Sequence, residues 1–307
     1  MNWLAFVAIA VLLDSIRIYI DNYASDEFFK GKGAVSQKLF YGYVFIVVGL
    51  VLLIITGFNP FASDLTAIGL LLLSGFLGSI SGIPYYRALE IENSTNIGIF
   101  IQLAPVFYLI LGWLFLGETI SGLQLIAFFI ILAAPLLILF TTKKRSRKVK
   151  IRAITFALIY VIIAVISNLI FVRANTKGLG FVNEIAIMFV AKGITNLLII
   201  YVHPKWRKRF YTVLNSSKKK VLKPLIANSI VGLAKDFAYR SALIAAPAVA
   251  LASAASDSAE PIVIFFLGIV LTLIWPKFGR EKLNRKTVIV HLAATLLIVV
   301  GVILLQF

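Results

Sequence analysis

The chain contains ten apolar stretches along its whole length, and each is about as long as a membrane-spanning helix. A helix needs roughly 20 apolar residues to cross the hydrocarbon core of a bilayer. The 307 residues are 61% hydrophobic and only 14% charged, whereas soluble domains carry about 25% charged residues. A soluble domain cannot bury this much apolar side chain, so the sequence predicts an all-α polytopic membrane protein. The ten predicted transmembrane helices lie at 2–24, 38–57, 65–90, 94–116, 121–141, 152–175, 181–202, 224–245, 247–275 and 287–306.

The second half of the chain repeats the pattern of the first. Tyr86-Arg87-Ala88-Leu89 ends the third span, Tyr239-Arg240-Ser241-Ala242-Leu243 ends the eighth, and a span with a central proline (Pro105 or Pro261) follows each. Because five is an odd number, the second set of five helices must cross the bilayer in the opposite direction. The sequence therefore predicts two inverted five-helix repeats, at 1–142 and 152–307, joined by a basic linker at 143–151.

Charge in the loops supports this inversion and predicts the orientation. The loop between spans two and three contains no Lys or Arg, whereas its counterpart between spans seven and eight contains eight. The loops after spans one, five, seven and nine, counted together with Lys38 and Arg152 at the adjoining span starts, hold 23 of the 30 Lys and Arg residues, and the opposite side holds only Lys177. Since positive loops stay in the cytoplasm, we expect a multi-pass protein of the cell membrane with both termini outside.

The same charge pattern and the residue inventory exclude other classes of protein. A formal net charge of +17 is compatible with nucleic-acid binding, but the basic residues stand in short loops between apolar runs, so we expect no nucleic-acid partner. The chain has no cysteine, and its two histidines, His203 and His291, are far apart. Without a metal-ligand or phosphate-loop motif, the sequence predicts no metal, no cofactor and no catalytic residue, hence no enzyme.

Three motifs in the first half carry a resemblance to a known family. They are Pro84-Tyr85-Tyr86-Arg87-Ala88-Leu89, Pro105-Val106-Phe107 and Leu111-Gly112-Trp113-Leu114-Phe115-Leu116-Gly117-Glu118. These motifs resemble the EamA-like domain of the drug/metabolite transporter superfamily. The resemblance implies ten helices in two inverted halves around a central cavity, and transport of small metabolites such as amino acids, nucleotide sugars or toxic organic compounds.

The chain departs from this family in two respects. Family members usually keep both termini in the cytoplasm, whereas the loop charges place them outside. The second half also lacks the Leu-Gly-Glu signature, because Trp275-Pro276-Lys277-Phe278-Gly279 intervenes before Glu281. Glu118 and Glu281, at the starts of spans five and ten, are sufficiently explained as caps of those helices.

Eleven of the ionisable residues in the predicted spans are candidates for a polar site. A charged side chain at the centre of a span costs about 2.5–3.5 kcal/mol on the insertion scale, so the central ones must face one another or a wet cavity. They are Asp14, Asp21, Asp236, Asp257, Glu260, Arg17, Arg87, Arg173, Lys192, Lys235 and Arg240. With nearby polar residues they supply the candidate substrate-binding set: Asp14, Arg17, Tyr86, Arg87, Gln102, Asn168, Lys235, Asp236, Tyr239, Arg240, Asp257 and Glu260.

Helical spacing leaves a structural and a functional interpretation open for most of them. Arg17 can simply neutralise Asp14 and Asp21, which share its face of span one. Arg87 and Arg240 can anchor the ends of their spans, and Gln102 can bond a neighbouring helix instead of a ligand. A salt bridge to Lys235 or Lys192 would likewise explain Asp257 or Glu260.

Asp257 and Glu260 are the candidates for proton coupling. They lie one turn apart on span nine and have no cation beside them in sequence. A desolvated carboxyl without a partner favours its neutral form and can carry a proton.

The sequence thus predicts a secondary transporter that moves a small polar metabolite by alternating access, as a proton-coupled exporter of amino acids or similar compounds. Cationic and acidic side chains together fit a zwitterion. The competing interpretations are a membrane sensor or assembly subunit that transports nothing and, less favoured, a membrane-embedded enzyme. The lipid bilayer and the substrate are the expected partners, and the oligomeric state stays open.

Overall fold

The computed structural model describes residues 2–29, 34–60, 63–92, 97, 100–142, 150–274 and 285–305. Over these residues the chain is helical and contains no strand. The part of the chain that the structure describes contains eleven helices: α1 Trp3–Phe29, α2 Ala34–Ile55, α3 Leu65–Ile80, α4 Gly82–Ile91, α5 Ala104–Leu116, α6 Gly122–Thr142, α7 Ile151–Asn175, α8 Phe181–Val202, α9 Pro204–Ala245, α10 Val249–Ile274 and α11 Arg285–Leu304. The linker at 143–149, the turn at 275–279 and Glu281 lie outside the described residues.

Among the described residues, six stretches are long and apolar enough to cross a membrane, and three shorter apolar helices accompany them. The six are Trp3–Asp21, Gln37–Ile55, Leu65–Ala88, Ile151–Asn175, Phe181–Val202 and Val249–Ile274, and the shorter ones are Ala104–Leu116, Gly122–Ile138 and Val288–Leu304. The all-α membrane character predicted from the sequence is therefore confirmed. The number of spans and the two-repeat arrangement stay predictions.

The predicted eighth span, at 224–245, is not a separate helix. It forms the second part of α9, which runs without a break from Pro204 to Ala245 through Pro224. Lys235, Asp236 and Arg240 make this part too charged to count as a span by composition alone.

The helices form two compact units, each drawn from both halves of the sequence. Unit 1 comprises Met1–Tyr19, Ala88–Leu158 and Val231–Phe307, and unit 2 comprises Ile20–Arg87 and Ile159–Ile230.

In unit 2, α8 packs against both α2 and α3. Glycines permit the close approach, as small residues do between helices in membranes. A Cβ at Gly42 would lie 3.1 Å from the carbonyl oxygen of Gly193, and a Cβ at Gly193 would lie 2.7 Å from that of Gly42. The first part of α9 adds Phe210, Val221 and Leu225 to a core that also contains Leu39 and Ile200.

We expect Gly75→Ala to destabilise the protein. A Cβ at Gly75 would collide with the backbone carbonyl oxygen of Met188, and overpacking of this kind costs about 1–3 kcal/mol. Gly69, on the same helix, has no atom within 4 Å of the corresponding position. Gly69→Ala is the matched control and should be neutral or slightly stabilising, because Ala is the better helix former by about 1 kcal/mol. Thermal unfolding in detergent compares the two, and equal midpoints would refute the packing argument.

In unit 1, α10 packs against α5, α6 and α11, and α6 packs against α11. The core at their junction is aliphatic: Ala134, Ile138, Ile262, Val290, Ala294 and Ile298.

Glu118 caps a different helix from the one the sequence indicated. Its Oε2 accepts a hydrogen bond of 3.0 Å from the backbone N–H of Val249, at the start of α10, where a helix end carries partial positive charge. Burial raises the pKa of Glu118, and the bond from Val249 opposes that rise. Ser121 and Gln124 bond each other's backbone N–H and cap α6, so that helix end is already satisfied without Glu118.

Candidate functional site

Most of the candidate residues belong to unit 1. Nine of the twelve lie there, and three (Tyr86, Arg87 and Asn168) lie in unit 2. The nine come from four segments: the first helix, the stretch before α5, the second part of α9, and α10. They are Asp14, Arg17, Gln102, Lys235, Asp236, Tyr239, Arg240, Asp257 and Glu260.

Asp14 pairs with two cations of unit 1. Its Oδ1 lies 2.7 Å from Arg17 Nε on the same helix, and its Oδ2 lies 3.1 Å from Lys235 Nζ on α9. The Asp14 and Lys235 side chains are only 15% and 21% exposed. The structural interpretation of Arg17 therefore holds for Asp14, and a lysine from another helix completes the pairing.

Asp21 belongs to unit 2, and its hydrogen-bond partners lie in the same unit. Its Oδ1 accepts a hydrogen bond of 3.0 Å from Tyr41 and one of 2.6 Å from Asn228 Nδ2. Helical spacing alone groups Asp21 with Asp14 and Arg17, and it does not predict the hydrogen bonds that Asp21 makes to other helices.

Besides Lys235, the second part of α9 carries the candidates Asp236, Tyr239 and Arg240. Asp236 and Arg240, four residues apart, attract each other electrostatically, and Arg240 is 6% exposed. Tyr239 places its hydroxyl 3.4 Å from that of Tyr108 on α5, and Lys235 Nζ lies 5.2 Å from the centre of the Tyr239 ring. Since Arg240 is buried, anchoring at a solvent-exposed helix end does not describe it.

The two carboxyls of α10 are in different situations. Asp257 accepts a hydrogen bond of 2.8 Å from Ser253 Oγ, one turn earlier. Glu260 is half-buried and makes neither a hydrogen bond nor an ion pair with any residue that the structure describes. Asp14 and Asp257 repel the Glu260 carboxylate, while Lys235 and Arg17 attract it from beyond ion-pair distance. Lys235 pairs with Asp14, and among the described residues it makes no ion pair with either α10 carboxyl.

The charged candidates of unit 1, called the unit 1 cluster below, include more carboxyls than cations. The cluster contains four carboxyls (Asp14, Asp236, Asp257 and Glu260) and three cations (Arg17, Lys235 and Arg240). Two of the cations are already paired with one carboxyl, Asp14. The surroundings of Asp257 and Glu260 are therefore suited to a ligand that carries positive charge or donates hydrogen bonds.

Helix α10 holds these carboxyls on a narrow, closely packed surface. Ala250, Ala252, Ala254 and Ala255 are all buried, so small side chains let neighbouring helices approach. Tyr19 also donates a hydrogen bond of 2.9 Å to the carbonyl of Ile264, which ties α1 to α10 one turn beyond Glu260. Pro261 has no backbone N–H, so the backbone carbonyl four residues earlier lacks its usual helical hydrogen-bond donor.

Gln102 is also placed in unit 1, just before α5. Its Oε1 is buried and has no hydrogen-bond partner among the described residues. The structural interpretation of Gln102 was a hydrogen bond to a neighbouring helix. Among the described residues, its Oε1 makes no such bond.

The three candidates of unit 2 do not share one environment. Arg87 is exposed, as expected for a side chain at the end of a span. Asn168 is half-buried on α7. Tyr86 is half-buried too, and Lys38 Nζ lies 5.9 Å from the centre of its ring.

Two buried charged residues are absent from the candidate set. Lys38 is 8% exposed and Glu184 is 0% exposed. Asn175 Nδ2 donates a hydrogen bond of 2.7 Å to Glu184. Both residues lie near the ends of predicted spans. At such positions hydropathy does not distinguish a charged residue in a loop from a charged residue that is buried. Glu184 lies inside the predicted seventh span, and this position was the signal that could have found it.

The described residues contain no group of three or more His, Asp or Glu that could hold a metal ion, and the chain has no cysteine.

Residues 31–140 match the EamA-like transporter family. This segment contains the motifs that carry the resemblance noted in the sequence, so that resemblance is confirmed. The chain is also similar to a protein known from a crystal structure, with 13% sequence identity, a TM-score of 0.60, and 98% of this chain and 94% of that chain covered. In all, 28 chains of solved structures match. No curated protein matches the chain in sequence.

The structural similarity concerns the fold alone. Together with the apolar helices, the family match shows a multi-pass membrane protein. The matched family is one of transporters, not of enzymes.

Proposed function

We propose, from the match of residues 31–140 to a transporter family and from the cluster in unit 1, that this protein is a secondary transporter. Its substrate is a small metabolite with an ammonium group, an amino acid or a similar compound. The observation that carries the proposal is the pair of carboxyls on α10, which have no cation within ion-pair distance among the described residues. An ammonium group fits this surplus of negative charge.

Packing within each unit supports the inverted repeat and, with it, alternating access. Helices that occupy the same place in the two sequence halves pack against each other: α2 against α8, α5 against α10, and α6 against α11. At the crossing of α2 and α8, Gly42 and Gly193 each approach the other's carbonyl oxygen. Such reciprocal contacts are those of a local two-fold axis, the symmetry that relates inverted repeats. Alternating access then arises from movement of one helix bundle against another around a fixed site.

The same proposal includes proton coupling and the direction of insertion. Glu260, with Asp257 as the alternative, takes up a proton when the ammonium group leaves, so that export of substrate is exchanged for entry of protons. Both termini lie outside the cell membrane, as the 23 basic residues in and directly beside four alternate loops favour.

Counterflow in proteoliposomes tests the transport itself. Vesicles are loaded with an unlabelled compound and given a trace of the labelled one, so accumulation needs exchange but no coupling ion. We expect accumulation of at least one amino acid or amine, and none of a carboxylic acid of the same size that lacks the amino group. If a broad panel gives no accumulation with folded protein, the proposal fails and the sensor or subunit interpretation gains support.

A further inference from the structure

Two tyrosines at the surface of unit 2 join one end of α2 to one end of α8. Tyr43 lies in the third turn of α2, and Tyr201 is one residue from the end of α8. Their hydroxyl oxygens are 2.9 Å apart, yet both side chains are more than 40% exposed. The pair therefore presents two hydroxyl groups to whatever surrounds the protein at this point.

An exposed apolar stripe runs along each of the two helices, starting next to the tyrosine pair. The stripes consist of large apolar side chains that are all exposed: Val47, Leu50, Val51 and Ile54 on α2, and Ile194 and Leu198 on α8. In each helix these positions and the tyrosine recur at intervals of three or four residues, so they share one face. The two helices pack against each other, and each is long and apolar enough to cross a membrane. In a bilayer these faces contact acyl chains.

Arg207, in the first turn of α9, lies over the ring of Tyr201. Its guanidinium carbon is 5.7 Å from the centre of that ring, and it makes no ion pair with any residue that the structure describes. A guanidinium group has five N–H donors, and it matches a phosphate group in geometry even while it stacks on an aromatic ring. A cation with several donors thus stands beside the two hydroxyls.

The first part of α9 is held against the ends of α2 and α8. Phe210 and Val221 are buried in a core with Leu39, near the start of α2, and Ile200, near the end of α8. Only His203 separates α8 from α9. This part of α9 therefore stays at the end of unit 2 where the tyrosine pair lies, next to the ends of two apolar helices.

Basic residues dominate this part of the chain. Residues 204–223 contain eight Lys or Arg, and no acidic residue occurs between Glu184 and Asp236. Lys205 and Lys208 are exposed. A polybasic segment directly beside membrane-spanning helices attracts phospholipids whose headgroups carry net negative charge.

We propose that unit 2 binds an anionic phospholipid at this place. The phosphate group lies at Arg207 and the hydroxyls of Tyr43 and Tyr201, and the acyl chains lie along the apolar stripes of α2 and α8. The phosphate oxygens accept charge-assisted hydrogen bonds from the guanidinium group, and the two tyrosine rings lie at the depth of the headgroups, where tyrosine is enriched in membrane proteins. The site uses residues of unit 2 alone and does not depend on the proposed transport function.

Thermal unfolding of the full chain in dodecyl maltoside tests this site. Phosphatidylglycerol and phosphatidylcholine are titrated separately into the micelles. A ligand that binds only the folded protein raises the unfolding temperature, and we expect a saturable rise with phosphatidylglycerol and a much smaller one with phosphatidylcholine. Inorganic phosphate at the same concentration should have no effect, because it lacks the acyl chains.

Three variants locate the binding. Arg207→Gln should raise the phosphatidylglycerol concentration for the half-maximal effect at least tenfold. Tyr201→Phe, which keeps the ring and removes the hydroxyl, should raise it severalfold. Lys223→Gln is the matched control and should respond as the wild type does. Lys223 is an exposed cation on the same helix, and at 3.6 residues per turn it lies about 160° around the axis from Arg207.

Three results would overturn the proposal. They are equal effects of the two phospholipids, an effect of inorganic phosphate equal to that of phosphatidylglycerol, and equal losses in Arg207→Gln and Lys223→Gln. The last result would show a diffuse attraction to the basic segment instead of a site. If Arg207→Gln does not fold, native mass spectrometry of Tyr201→Phe decides the matter: weaker retention of phosphatidylglycerol than in the wild type supports the site, and equal retention refutes it.

Discussion

Replacing Glu260 with glutamine is expected to lower counterflow of an ammonium-bearing substrate by about 10- to 100-fold. A hydrogen bond to a charged group contributes about 1.5–3 kcal/mol, and about 1.4 kcal/mol corresponds to a tenfold change in affinity. The fold should survive, because Glu260 makes no hydrogen bond or ion pair with the described residues and its neutral isostere leaves no partner behind. Transport should therefore fall while the unfolding temperature stays the same or rises.

The pH dependence distinguishes proton coupling from simple substrate binding. In the wild type, exchange should change with pH as the α10 carboxyls titrate, and Glu260→Gln should flatten that profile. If Asp257 is the coupling group instead, Asp257→Asn will flatten it and Glu260→Gln will not. Glu118→Gln is the matched control, since the glutamine oxygen can still accept the bond from Val249. A Glu260→Gln protein with the rate and pH profile of the wild type would remove Glu260 from both roles.

Replacing Asp14 with asparagine is expected to destabilise the folded protein by about 3 kcal/mol, in the range for breaking a buried ion pair. The substitution removes the negative charge from Arg17 and Lys235 together, and the Lys235 side chain is only 21% exposed. We place the cost at the lower end of the range because Arg17 is 35% exposed and can turn toward solvent. Thermal or denaturant unfolding in detergent measures the effect.

An exposed ion pair of the same protein serves as the control. Lys177 Nζ lies 3.9 Å from Asp64 Oδ2, and both side chains are more than a third exposed. Asp64→Asn should change stability little, because surface pairs contribute little and asparagine also caps a helix well. The double variant Asp14→Asn with Lys235→Met should recover part of the loss. Equal effects of Asp14→Asn and Asp64→Asn would show that burial does not strengthen the Asp14 pair.

The elements of the fold were largely predictable from the sequence. Each of the ten predicted ranges contains all or part of a helix. They could be predicted because the length of an apolar run is a property of that segment alone. The boundaries that differ do so for local reasons. The eighth span is continuous with the basic segment before it, since nothing between Pro204 and Ala245 stops the helix and Pro224 is accommodated within it.

The composition of the polar cluster was predictable, and its pairing was not. Hydropathy alone identifies Asp14, Lys235, Asp257 and Glu260 as charges inside apolar runs. Helical spacing predicted Arg17 as a partner of Asp14, and the structure contains that bond. The Lys235 partner comes from a different helix, as do the tyrosine and asparagine that bond Asp21.

Sequence by itself therefore determined the helical membrane architecture, the transporter family resemblance and which charges must avoid lipid. The tertiary structure decided which of those charges are satisfied. It paired Asp14 twice, left Glu260 unpaired among the described residues, and buried Lys38 against the backbone carbonyl of Ser79. The physical reason is distance: hydrophobicity acts through the composition of each segment, whereas an ion pair depends on a few ångströms between atoms of helices that only the packed chain brings together.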